Sequence, residues 1–142
     1  MQVQLHAPAS APVARARRHM RWLSLPGMQT LPVLARRFRS HCWVQGPEDS
    51  APLLPVHGDL TTGGFWQAIA SRLPARFRAA APDLRAFGRS ERLPVDARRG
   101  LRDWSEDLRS LVEALGWVDQ RLFVGSAARL PDAVVYDLLE VG

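Results

Sequence analysis

Short apolar runs alternate with longer segments of helical spacing from residue 46 onward. The first run, Pro52–Val56, ends in a glycine-containing turn, and Phe77–Pro82 and Arg121–Gly125 are two further runs of the same kind. Runs of this length that are bounded by turn residues are typical of buried strands. The pattern therefore predicts three strands after residue 46.

The segments between these runs predict amphipathic helices. In the clearest one, the apolar residues form one stripe and charged residues fill the opposite face; the stripe consists of Leu101, Trp104, Leu108, Leu111, Val112 and Leu115. Gly116 follows where a helix commonly ends in the left-handed conformation. The spacing over Phe65–Leu73 predicts an earlier helix stopped by Pro74, and Pro131 begins a final one.

Strands that alternate with helices through short loops predict right-handed crossovers and a parallel sheet covered by helices. The expected class is α/β, with a partial, doubly wound and mostly parallel sheet. Pro55 conflicts with a central strand, because proline donates no hydrogen bond to the ladder. A sheet that ends after its third parallel strand also predicts an exposed apolar edge.

Charge divides the chain near residue 47. Residues 1–47 hold seven arginines and no acidic residue, whereas residues 48–142 hold twelve arginines and all fourteen acidic residues. We expect a basic N-terminal segment, residues 1–47, with one or two strands and no regular period over Leu31–Val44. Residues 48–142 form the expected α/β domain.

Length and composition exclude several classes of protein. The chain has 142 residues, of which 46% are hydrophobic and 23% charged, as in one folded domain. No apolar run reaches the roughly 18 residues that cross a bilayer, and no Sec signal is recognisable, so we expect a cytoplasmic protein without a membrane segment. Cys42 is the single cysteine, which excludes a disulfide framework and a cysteine zinc site. We predict no metal and no cofactor.

The order of motifs resembles the α/β-hydrolase superfamily. His57-Gly58 follows the first strand, the loop Asp83-Leu84-Arg85-Ala86-Phe87-Gly88-Arg89-Ser90 follows the second, and the Trp104 helix leads to Val124-Gly125. The resemblance implies the N-terminal half of such a fold, truncated. It implies that His57 and Gly58 form a structural turn and that the backbone N–H of Asp59 is an oxyanion donor. Ala86 stands where the family's loop usually has glycine; a positive φ there would cost roughly 1 kcal/mol.

The resemblance also indicates where a catalytic serine would lie. The family's nucleophile elbow, G-x-S-x-G, would follow Val124-Gly125, where Ser126 is the available hydroxyl. Val124 occupies a position that needs glycine or alanine, which favours a serine in a strand-to-helix loop over a nucleophile. The histidines all precede Ser126 and none matches the family's catalytic position; they are His6, His19, His41 and His57. No catalytic acid is identified.

Three functional interpretations remain open. The resemblance implies ancestral hydrolysis of an ester, epoxide, lactone or similar small substrate, and the degenerate elbow predicts an inactive pseudoenzyme. The alternative is a noncatalytic interaction module that self-associates or pairs with a partner through an exposed sheet edge. The third is an arm for nucleic acid or an anionic surface formed by Arg15–Arg21 with Trp22, although the acidic body argues against nucleic acid and favours a solvated leader.

Overall fold

The computed structural model describes residues 24–118 and the backbone of residues 123–126. Its strands are β1 (Gln29–Leu34), β2 (Arg39–Gln45), β3 (Ala51–Val56), β4 (Phe77–Pro82) and β5 (Phe123–Ser126). A 3-10 helix, Gly63–Trp66, continues into α1 (Gln67–Ala70), and a 3-10 turn at Ala97–Arg99 precedes α2 (Arg102–Ala114). The basic cluster Arg15–Arg21, Trp22 and the helix predicted after Pro131 lie outside the described residues.

The five described strands form one mixed sheet in the order β1-β2-β4-β3-β5. β2 is antiparallel to both of its neighbours, whereas β3 is parallel to β4 and β5. The predicted α/β class and the three predicted parallel strands are confirmed. The antiparallel strands come from residues 29–45, so the sheet takes strands from both sides of residue 47.

Burial explains why β2 shows no period of two in the sequence. Its residues from Ser40 to Val44 are all buried. A strand that is covered on both faces lacks the alternation of polar and apolar residues that marks a half-exposed strand. The backbone N–H of His41 donates to Ser90 Oγ at 2.9 Å, a partner 49 residues away. This hydrogen bond gives a backbone donor of the buried strand a partner inside the core.

The two faces of the sheet carry separate apolar clusters. On one face Leu54, Val56 and Ala80 pack with Leu108 and Leu111 of α2. On the other face Ala79 and Ala81 pack with Trp43 and with Ala70 of α1. Successive residues of a strand point to opposite faces, so α1 and α2 cover opposite sides of the sheet.

The two predicted helices differ in how well the apolar pattern describes them. α2 ends at Ala114, and Gly116 has the predicted left-handed φ of 72°. The earlier helix is shorter than predicted, and it leaves Phe65 and Ile69 more than half exposed. Among the residues described, no helix is long and apolar enough to cross a bilayer.

Pro55 lies beyond the part of β3 that pairs with β4 and within the part that pairs with β5. The pairing with β4 runs from Ala51 to Leu53, and Pro55 lies two residues beyond it, opposite Gly125 of β5. The missing N–H therefore falls outside the β3–β4 pairing.

Candidate functional site

The predicted site residues meet where β3 and β5 end. Ser126 is paired in parallel register with Val56, the residue immediately before His57. The loop Gly58–Thr62 leaves the sheet at this point and leads to the 3-10 helix. The backbone of Ser126 and the loop that contains Asp59 therefore lie at the same end of the sheet, where β3 and β5 end. The segment that would complete an elbow after Ser126 lies outside the described residues.

Both ring nitrogens of His57 are engaged within the protein. Nε2 accepts a hydrogen bond from the N–H of Leu84 at 2.9 Å, so this nitrogen carries no proton. Nδ1 then donates to the carbonyl oxygen of Gly58 at 2.7 Å. Burial lowers the pKa of His57 below its ordinary value, and the ring edge of Phe87 packs against it at 5.1 Å between centroids. His57 is thus held as a neutral side chain of the turn.

The middle of the loop Gly58–Thr62 faces solvent. Asp59 and Leu60 are exposed, and Leu60 is 100% exposed with a φ of 64°. A left-handed conformation at a residue with a Cβ costs about 1–2 kcal/mol, so the ends of the loop must hold it. The predicted oxyanion donor, the N–H of Asp59, belongs to this exposed part.

Asp83 is a buried acidic residue that contacts Gly63, the residue directly after this loop. Its Oδ1 accepts a hydrogen bond from the N–H of Gly63 at 2.8 Å, and its Oδ2 accepts one from the N–H of Arg89 at 2.9 Å. His41 Nδ1 lies 3.2 Å from the same Oδ2. Burial by itself raises the pKa of Asp83, but its contacts with His41, Arg89 and Gly63 together hold the pKa below its ordinary value. The carboxylate is therefore ionised at neutral pH.

A second polar cluster joins the Asp83–Ser90 loop to α2. Arg85 donates through Nε and Nη2 to the two carboxylate oxygens of Asp107, at 2.6 and 2.7 Å. Arg37, from the turn between β1 and β2, donates from Nε to Oδ1 of Asp107 at 2.9 Å. The hydrogen bonds to Asp107 raise the pKa of Arg85 further above its ordinary value. The buried carboxylate of Asp107 thereby connects three segments: the turn between β1 and β2, the loop after β4, and α2 itself.

Other reactive groups of the described residues are not arranged for chemistry. No group of three or more His, Cys, Asp or Glu side chains in this part of the chain could hold a metal ion. Burial raises the pKa of the Cys42 thiol to about 12, which keeps it protonated. Ala86 has a φ of 67°, as its place in the loop implied.

The role of Asp83 was missed by the sequence analysis, which noted the loop that it begins without assigning the side chain. A signal was present, because an acidic residue directly after a buried strand needs partners. The position of those partners was absent from the local pattern: Gly63 is 20 residues away. The Arg85–Asp107 pair was missed for the same reason, with 22 residues between its members.

Comparison with solved structures gives neighbours of similar fold. No protein-family model matches the sequence. An epoxide hydrolase from an endophytic Streptomyces is 27% identical, with a TM-score of 0.60 over 70% of this chain and 30% of its own. The thioesterase domain from the curacin biosynthetic pathway is 24% identical, with a TM-score of 0.60 over 70% of this chain and 36% of its own. The haloalkane dehalogenase DatA from Agrobacterium tumefaciens C58 is 24% identical, with a TM-score of 0.59 over 70% of this chain and 33% of its own.

These neighbours share one fold, and the present chain spans 30–36% of their length. The chain has part of the α/β-hydrolase fold that these neighbours share.

Proposed function

We propose that this chain is the part of an α/β-hydrolase that carries the oxyanion loop, Gly58–Thr62, and that by itself it does not catalyse turnover. Its ancestors acted on an ester, epoxide, lactone or similar small substrate. The observation that carries the proposal is the pairing of Ser126 with Val56, which brings the candidate nucleophile's backbone to the start of this loop. The engagement of both His57 nitrogens supports the absence of turnover.

The chemistry of acyl transfer separates what the site has from what it lacks. Backbone N–H groups of a loop such as Gly58–Thr62 stabilise the oxyanion of a tetrahedral intermediate. A serine hydroxyl also needs a general base within hydrogen-bond reach before it attacks. The histidines of the described residues, His41 and His57, are both buried, and His57 already spends both nitrogens on the turn. Among the described residues, Ser126 therefore has the proposed oxyanion loop beside it, and neither histidine is exposed to serve as its base.

The Asp59 side chain also opposes catalysis. Its exposed carboxylate follows directly after the His-Gly turn, next to the N–H that would stabilise an anion. A negative charge at this position raises the energy of a developing oxyanion, unlike a neutral side chain. The loop thus keeps the backbone of an oxyanion site while its charge is unfavourable for one.

The substrate class rests on the neighbours and on the share of their length that this chain spans. The neighbours are described as an epoxide hydrolase, a thioesterase domain and a haloalkane dehalogenase. The chain spans 30–36% of those structures, so most of any substrate pocket would be built from residues outside this match. A small molecule with an ester-like or epoxide group is the class that we propose.

Hydrolysis of p-nitrophenyl acetate tests the proposal directly. Purified chain is compared with Ser126→Ala and with Ser71→Ala, a serine at the end of α1, and circular dichroism checks the fold of all three. We expect all three to match the rate in buffer. Turnover that is lost in Ser126→Ala and retained in Ser71→Ala would overturn the proposed inactivity and identify Ser126 as the nucleophile.

We also propose self-association at the β5 edge as a second function. β5 ends the described sheet, and an open apolar cavity of about 90 Å³ lies between the neighbouring strand β3 and α1, lined by Leu53, Pro55, Trp66, Ile69, Ala70 and Leu73. An edge strand next to an apolar sheet face favours pairing with a second copy. Sedimentation should show a dimer that Ile69→Lys weakens. A monomer at every concentration would overturn this second function.

A further inference from the structure

Two consecutive residues after β4 hold both ends of the loop Gly58–Thr62. At its beginning, the N–H of Leu84 donates to Nε2 of His57 at 2.9 Å. At its end, the N–H of Gly63 donates to Oδ1 of Asp83 at 2.8 Å. Because Asp83 and Leu84 are adjacent in the chain, these two hydrogen bonds fix the ends of the loop relative to each other.

Asp83 is itself fixed by its surroundings. Its side chain is 2% exposed, its Oδ2 accepts from the N–H of Arg89, and its carbonyl oxygen accepts from Ser90 Oγ at 2.6 Å. Gly88 has a φ of 49°, and a Cβ added there would lie 2.1 Å from Asp83 Oδ2. A side chain at position 88 would therefore clash with the Asp83 carboxylate. The loop after β4 has room for the carboxylate in this orientation because residue 88 is glycine.

The two N–H donors require an acceptor at both carboxylate oxygens. Ionised aspartate only accepts hydrogen bonds, so it satisfies Gly63 and Arg89 at once. Asparagine has nearly the same shape, but its amide group would place an NH₂ donor against one of these two N–H groups. Hydrogen bonds to a charged acceptor are also about twice as strong as neutral ones. The substitution Asp83→Asn therefore removes an anchor without creating a large cavity.

We propose that Asp83 is a positioning residue whose buried carboxylate holds the backbone of the loop Gly58–Thr62 in its shape. The inference rests on the proposed function in taking this loop as the oxyanion loop. Asp83 acts through Gly63 and does not contact a substrate in this role. Leu60, in the middle of the loop, is exposed and has a left-handed conformation, so the loop needs an anchor at its ends to keep this shape.

Amide hydrogen exchange of the full chain, followed by mass spectrometry, tests this role. The variants are Asp83→Asn and, as a matched control, Asp107→Asn, which changes another buried carboxylate that contacts Arg85 and Arg37 rather than the loop. In Asp83→Asn, we expect the amide of Gly63, which Asp83 protects within the segment 58–63, to exchange at least about tenfold faster relative to α2. In Asp107→Asn, exchange should not rise selectively in this segment. Equal loop selectivity in both variants, or an unchanged loop in Asp83→Asn, would overturn the proposal.

If circular dichroism shows that Asp83→Asn is unfolded, the wild-type chain provides the measurement. Exchange of individual amides is followed by NMR in increasing, sub-denaturing urea. The amides of Gly63 and Arg89 share one carboxylate, so they should open together with the same urea dependence. Independent opening of Gly63 before Arg89 would overturn the proposal.

The outcomes separate this inference from the proposed function. Hydrogen exchange needs no substrate, so turnover of p-nitrophenyl acetate would overturn the proposed inactivity and leave the positioning role of Asp83 intact. An unchanged loop in Asp83→Asn would overturn the positioning role and leave the esterase result unaffected.

Discussion

Arg85 and Asp107 form two parallel hydrogen bonds inside the protein, from Nε to Oδ2 at 2.6 Å and from Nη2 to Oδ1 at 2.7 Å. The Asp107 side chain is 0% exposed. This geometry matches the planar guanidinium to the planar carboxylate and connects the loop after β4 to α2. Each charge neutralises the other. We therefore expect a protein that keeps only one of the two charges to be less stable than one that keeps both or neither.

Removing one member of the pair should be worse than removing both. Arg85→Met or Asp107→Leu leaves a buried charge without its main partner, and we expect each to lower the free energy of unfolding by about 3–5 kcal/mol. The double variant should lose less than either single variant, because Arg37 keeps Glu106 at 2.9 Å. Urea unfolding followed by circular dichroism measures all three. A double variant that loses as much stability as either single variant, or more, would contradict this prediction.

Glycine should be the better residue at position 86. Ala86 has a φ of 67° and an exposed side chain, so Ala86→Gly relieves left-handed strain without opening a cavity. We expect a gain of about 0.5–1 kcal/mol in the free energy of unfolding, after allowing for the added entropy of the unfolded chain. Ala114→Gly, in the last turn of α2, is the control and should lose up to about 1 kcal/mol. Equal losses in both variants would contradict the strain at Ala86.

His57 should make the fold sensitive to mild acid. Its folded pKa lies below the ordinary value of 6.5 because of burial. A lowered folded pKa means that the stability from neutral His57 is fully present above the unfolded pKa of about 6.5 and is lost as the pH falls through it toward the folded pKa. Unfolding free energies measured from about pH 8 to pH 5 should fall more steeply in the wild type than in His57→Gln. Parallel pH profiles would contradict this prediction, since the other histidines are present in both proteins.

Cys42 should resist thiol reagents while the chain is folded. It is 0% exposed, and burial raises its pKa to about 12, so little thiolate is available at neutral pH. We expect no reaction with Ellman's reagent in buffer and complete reaction in urea. Because Cys42 is the chain's single cysteine, the signal needs no correction for other thiols. Rapid reaction in buffer would show that β2 opens or that its burial is incomplete.

Local sequence patterns predicted a strand or helix correctly where each of its faces has the same environment along the whole element. The apolar runs predicted β3 and β4 to within a residue, and the stripe predicted α2 with its end near Gly116. They failed at β2, which is buried on both faces and carries polar residues. They also overestimated the length of the helix after residue 63, where Phe65 in the 3-10 helix and Ile69 in α1 are exposed.

The sequence by itself determined the α/β class, the turn at His57-Gly58 and the strained loop position of Ala86, because each depends on neighbouring residues or on a motif. Tertiary structure alone decided the partners of the buried charges. Arg37 and Asp107 are 70 residues apart, and Leu84 and His57 are 27 apart. The physical reason is that a buried polar group is stable only where a partner reaches it, and which segments meet is set by the pairing of the strands.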